Sequence, residues 1–125
     1  MSTRYYTLVD KEPVLTSIEN LPVQNLIQKI RKTEFSDKWL ISTVFLGVDH
    51  SFTEEGPPLV FETMIFKNYA DQYSRRSSTY QEALEEHRKA IQWLHSNCYP
   101  GAVIDDFLRK DLSIETEYKS RWELI

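Results

Sequence analysis

The sequence predicts an α+β domain: an antiparallel sheet with two central strands, at about residues 38–46 and 59–66, packed against helices at about 22–33 and 79–97. Three observations predict it. Lys38–Leu46 (KWLISTVFL) and Leu59–Phe66 (LVFETMIF) are rich in β-branched and aromatic residues and apolar on both faces at once, the pattern of strands covered on each side. Thr79–Asn97 opens with a capping signature and carries an apolar stripe at helical spacing. At 125 residues, with no internal repeat and three glycines, the chain has the length of one domain, 1–125.

Taken in order, Tyr5–Val9 reads as a short strand that turns at Lys11-Glu12-Pro13, and Val14–Ile18 is placed to pair with it. From Pro22 the period changes. Val23, Leu26, Ile27 and Ile30 recur at helical spacing, with Asn20 as N-cap and Pro22 in the first turn, which predicts a helix ending near Thr33. The two central strands are joined by Gly47–Pro58, too long for a tight hairpin, and loops of that length in small domains tend to be functional. Tyr73–Ser78 reads as a loop leading into the capped helix, where Thr79 and Glu82 form the box and Tyr80, Ala83, Leu84, His87, Ile91 and Leu94 form the stripe. Val103–Ile125 reads as a short helix followed by a strand.

Fifteen basic against nineteen acidic residues give a net charge of −4 and a pI near 5.4. That balance argues against long nucleic acid as a partner, because the phosphate backbone calls for a cationic face. It leaves room for a small anion held by two or three local arginines. The longest run without Asp, Glu, Lys, Arg or His, Trp39–Val48, is ten residues, half of the roughly 20 a membrane span needs. The single cysteine, Cys98, leaves no internal disulfide and suits a reducing compartment. The expectation is a soluble, intracellular protein.

Four groups of residues carry chemistry. Asp49 and His50, with Ser51 and Phe52, follow the first central strand; they are either acid–base or metal ligands, or a cap of the turn after Gly47. Glu62 lies on an apolar strand, so it is tied to an arginine or histidine, points into a pocket, or faces water on an edge strand. His87 sits on the helix's apolar stripe and reads as a core histidine, with Glu62 as a partner across the interface. Tyr73, Ser74, Arg75 and Arg76 precede a helix N-terminus, where hydroxyls and guanidinium groups suit a phosphate. The alternative for that stretch is a solvated charged loop. Asp49, His50, Glu62 and His87 match no defined metal motif, and no metal or cofactor is expected.

Trp39–Phe52 (WLISTVFLGVDHSF), Pro57–Phe66 (PPLVFETMIF), then Tyr73-Ser74, Glu82-Ala83 and His87, resemble a widespread family of small bacteriophage proteins. The resemblance covers about two-fifths of the chain, residues 39–90. Through it the chain resembles the phage anti-CBASS sponges, which bind cyclic dinucleotide alarm signals such as cyclic GMP–AMP and do no chemistry on them. That resemblance implies a non-enzymatic binding protein, a homo-oligomer (a tetramer in such sponges), acting in the host bacterial cytoplasm. On this reading Phe52 and Tyr73 grip the bases and Ser74, Arg75 and Arg76 the phosphates. Asp49, His50, Pro57 and Glu62 complete the binding residues, and His87 braces Glu62. Two other readings stand beside it: a structural or host-factor-binding protein with no small ligand, and a metal-dependent nucleotide hydrolase using Asp49, His50, Glu62 and His87.

Overall fold

The computed structural model describes residues 3–20, 27–35, 38–49, 51, 55–98, 103–111 and 116–120, the last two stretches by their backbone alone. Strands β1 (Tyr5–Val9) and β2 (Glu12–Thr16) form a hairpin of their own. Strands β3 (Gln28–Phe35), β4 (Trp39–Phe45), β5 (Phe61–Lys67), β6 (Ala70–Ser77), β7 (Val103–Asp111) and β8 (Thr116–Ser120) form an antiparallel sheet in the order β6-β5-β4-β3-β7-β8. The helix α1 (Tyr80–Trp93) runs on into a π-helical turn, Leu94–Cys98. The fold is a sheet-dominated α+β structure. No helix of the described residues is long and apolar enough to cross a membrane.

The two strands read as central are β4 and β5, each with a strand on both sides. The hairpins β1–β2 and β5–β6 close through two-residue turns, Asp10-Lys11 and Asn68-Tyr69, all four residues at positive φ. Such turns match the right-handed twist of the strands they join.

Three readings are corrected. The helix at 22–33 is not formed over its second half: Gln28–Phe35 is β3, while residues 21–26 lie outside the described residues. The strand carries a bulge between Lys29 and Arg31, which adds a residue to it. It turns strict alternation into inward positions at Ile30, Thr33 and Phe35, and pairing with β4 and β7 on either side fixes the segment as a strand, whatever the spacing of Val23, Leu26, Ile27 and Ile30 suggests. The short helix expected after Val103 is β7, held by pairing with β3. Tyr73–Ser78 is the second half of an edge strand, β6, and the step into α1, rather than a loop.

Helix α1 begins as its sequence dictates. The Glu82 amide donates to Thr79 Oγ1 at 3.0 Å, and the Thr79 amide donates back to Glu82 Oε1 at 3.0 Å. Thr79→Ala is expected to cost about 1 kcal/mol in a denaturation experiment, with the rest of the fold unchanged.

The helix packs on one face of the sheet. Phe35, Ile41, Ile65, Ala90 and Leu94 form one buried cluster, and Ile30, Phe45, Val60, Phe61 and Ala83 form another, against which Tyr6 and Leu8 of the hairpin pack. On the other face Leu40, Ser42, Val44, Glu62, Met64 and Phe66 are half-buried. Among the described residues no helix or hairpin covers it, so the expected cover on both faces is met on one.

Candidate functional site

Where β4 runs out, the chain passes Gly47 at φ 76°, and its carbonyl accepts from the Tyr6 amide at 2.9 Å. Asp49 follows, its side chain 3% exposed. Its Oδ1 accepts from the amides of Ser51 and Leu59, both at 2.9 Å, and Oδ2 accepts from Arg4 Nη2 at 2.6 Å. Burial pushes this carboxyl up, but the two amides, the Ser51 hydroxyl and the Arg4 guanidinium together outweigh it and hold the pKa below the ordinary value. Both Asp49 oxygens are therefore engaged inside the protein. Of its two readings, the geometry gives the turn cap: one carboxylate fastens both ends of the 51–59 connector and the N-terminal segment. His50 and Phe52 lie outside the described residues, and Pro57 is exposed on the connector.

Glu62 takes the first of its expected options. It is on a central strand, on the face away from α1, and accepts from Arg76 Nε at 3.1 Å. His87 does not brace it, because His87 lies on the opposite side of the sheet. The imidazole is fully buried, with Nε2 at 2.8 Å from Thr33 Oγ1 and Nδ1 at 2.7 Å from Thr43 Oγ1, which is itself 2.7 Å from Thr63 Oγ1. Each threonine occupies the middle inward position of its strand. Thr33 lies between Ile30 and Phe35, Thr43 between Ile41 and Phe45, Thr63 between Phe61 and Ile65. A neutral imidazole has one donor and one acceptor, and hydroxyls, which do both, satisfy either tautomer. His87 is thus the polar centre of the core.

Asp49, Glu62 and His87 stand in three separate places, and among the described residues no three His, Cys, Asp or Glu side chains could share a metal ion. The phosphate-seat residues are likewise divided, since side chains alternate along a strand. Ser74 and Arg76 are in register with Met64 and Glu62 on the face away from α1, whereas Tyr73 and Arg75 pair with Ile65 and Thr63 on the helix side.

It is on the helix side that a site forms. A cleft of about 380 Å³ lies between β6 and α1, lined by Tyr73, Arg75, Glu86, Lys89 and Trp93 over a floor of Ile65 and Ala90. Tyr73 and Trp93 are 39% and 46% exposed. Arg75 Nε is 3.2 Å from the Tyr73 hydroxyl and 3.8 Å from Glu86 Oε2, and Lys89 Nζ is 3.7 Å from Glu86 Oε1. The Tyr73 hydroxyl, then Glu86, raise the Arg75 pKa further above its usual value, so the guanidinium is always charged. Glu86 thus holds two cations at the cleft with one negative charge to offset them. Sequence reasoning found Tyr73 and Arg75 but missed Glu86, Lys89 and Trp93. Their spacing of three and four residues was visible and places them on one helix face, beside the buried stripe; their adjacency to β6 was not.

Comparison with known proteins finds no matching family, no matching curated protein and no matching solved structure.

Proposed function

We propose that the protein is a phage immune-evasion binding protein that sequesters a cyclic dinucleotide, such as cyclic GMP–AMP, in the β6–α1 cleft without cleaving it, in the host bacterial cytoplasm. The observation that supports this is the pairing of two exposed rings with two cations around one cleft. A base stacked on Tyr73 or Trp93 gains about 1–3 kcal/mol. Arg75 and Lys89 offer charge-assisted hydrogen bonds to a phosphate, and the Glu86 carboxylate accepts from a base edge. The cleft is at the lower end of the range for ligand pockets, about 300–1,000 Å³, so it takes one nucleotide unit, and the other unit goes to a second copy. Asp49, Glu62, Ser74 and Arg76 stand outside this site.

The test is calorimetry with cyclic GMP–AMP, followed by heat denaturation and chromatography of the released nucleotide. The expected result is saturable binding, intact nucleotide, and affinity lowered roughly tenfold or more by Arg75→Ala or Trp93→Ala. Arg76→Ala, on the other face, should change affinity by less than about twofold. Absence of binding, or a greater loss from Arg76→Ala than from Arg75→Ala, overturns the proposal; degraded nucleotide favours the hydrolase reading. A second reading, a structural or host-factor-binding protein with no small ligand, draws support from the uncovered sheet face and predicts no binding heat.

A further inference from the structure

Glu86 lines the β6–α1 cleft with its hydrogen bonding incomplete. Its side chain is 19% exposed, and its oxygens stand 3.8 Å from Arg75 Nε and 3.7 Å from Lys89 Nζ. Those separations hold the charges together but are too long for hydrogen bonds. Among the described residues neither oxygen accepts one. Neighbouring carboxylates differ. Glu62 accepts from Arg76 at 3.1 Å, Glu82 from the amides of Ser78 and Thr79 at 3.2 and 3.0 Å, and Glu85 from Arg88 at 2.6 and 2.9 Å. A carboxylate has about four lone-pair sites, and buried polar atoms take hydrogen-bond partners. Glu86 therefore has acceptor sites open to a ligand that brings donors.

We infer that Glu86 selects guanine as the base held in this cleft: its two oxygens accept from guanine N1–H and N2–H, Lys89 donates to O6 beside them, and the ring stacks on Tyr73 or Trp93. This selectivity rests on the cyclic dinucleotide reading and adds which base the ligand carries. Guanine puts two donors side by side, next to an acceptor, on its Watson–Crick edge, and a carboxylate flanked by a cation is the complement of that edge. Adenine turns one donor and the bare N1 lone pair to the same place, cytosine one donor and the bare N3 lone pair. Uracil turns a single N–H between two carbonyls. Each of these leaves a Glu86 oxygen facing an acceptor, and a site built to hydrogen-bond its ligand rejects one that leaves its polar groups unpaired. Arg75, bonded to the Tyr73 hydroxyl through Nε, keeps its outer nitrogens for the phosphate.

Each half of a cyclic dinucleotide takes its own cleft, on two copies of the chain. A ring with two guanines then satisfies both carboxylates, a ring with one guanine and one adenine satisfies one, and a ring with two adenines satisfies neither. The expected order of affinity is cyclic di-GMP, then cyclic GMP–AMP, then cyclic di-AMP, with about tenfold or more between neighbours. Charge and backbone are the same in the three 3′,3′-linked rings, so phosphate contacts do not produce that order.

The experiment is calorimetry with the three rings on the wild-type protein and on Glu86→Gln. The amide keeps the size of the carboxylate but offers one acceptor and one donor, the complement of adenine. Glu86→Gln is expected to weaken cyclic di-GMP about tenfold or more and to tighten cyclic di-AMP, so that the preference for guanine is lost, with the thermal unfolding midpoint unchanged. Equal affinity of the wild-type protein for all three rings, or a preference for adenine, overturns the inference and leaves the cleft reading standing. So does an unchanged order in Glu86→Gln, or an equal loss for all three rings, which marks the carboxylate as a prop for Arg75 and Lys89 rather than a reader of bases. Absence of binding by every ring overturns both.

Discussion

His87→Ala is expected to cost about 3–5 kcal/mol, measured by urea denaturation, and to lower the melting temperature by about 10–25 °C. Two losses combine. The fully buried imidazole leaves a cavity in the middle of the core, and the hydroxyls of Thr33 and Thr43 lose a partner at 2.8 and 2.7 Å. A buried polar group without its partner costs about 1–3 kcal/mol beyond the packing. Thr43 is the hub, because its hydroxyl meets both His87 Nδ1 and Thr63 Oγ1. Thr43→Val, close in shape, should therefore cost about 1–3 kcal/mol from hydrogen bonding alone. His87→Leu combined with Thr43→Val should cost less than the sum of the two single changes, since removing both ends of a buried bond leaves less unsatisfied. Additive costs, or a loss below about 1 kcal/mol for His87→Ala, would show that the network contributes nothing as a unit.

Asp49→Ala is expected to cost about 2–4 kcal/mol, and Asp49→Asn roughly half of that. The carboxylate accepts from two amides ten and two residues downstream and from Arg4 near the start of the chain. Alanine leaves both amides without an acceptor and opens the connector, whereas asparagine keeps the acceptor oxygen and loses the charge. The Arg4 contact adds little by itself, because Arg4 is 30% exposed and water screens the pair. The same carboxylate gives a pH dependence with a definite sign. Its folded pKa lies below the ordinary value of 3.8, so the unfolded chain takes up the proton first as pH falls. The stabilisation is complete above the unfolded pKa and is lost as pH falls through the folded one. Denaturation curves between about pH 5 and pH 2 should show the wild-type protein losing more stability than Asp49→Asn. Glu85 titrates in the same direction through Arg88, but it is common to both proteins and cancels in the difference. Equal acid limbs would remove the role assigned to Asp49.

Much of the fold was legible in the sequence. The strands at 38–46 and 59–66 and the capped helix stand where their patterns place them, because β-branched runs and a Thr79–Glu82 box are local signals that tertiary packing only reinforces. Strand β3 was hidden because what holds it is pairing with β4 and β7 on either side, which the spacing of Val23, Leu26, Ile27 and Ile30 does not reveal. Of the expected binding residues, Tyr73 and Arg75 reach the cleft, while Ser74 and Arg76 turn to the other face. The sequence ranks these four as neighbours; a strand's alternation divides them.

What the amino-acid order determined by itself was the kind of each strongly patterned element and where the helix begins, since those depend on periodicity and on bonds between residues three or four apart. Only the tertiary structure decided that Asp49 closes a connector, that His87 bonds Thr33 and Thr43 with Thr63 behind them, and that Trp93 and Lys89 complete a site with Arg75. Each of those depends on which strand lies beside which. That order is set by long-range pairing such as β3 with β7, residues about 70 apart in the chain, whose register no short window of sequence contains.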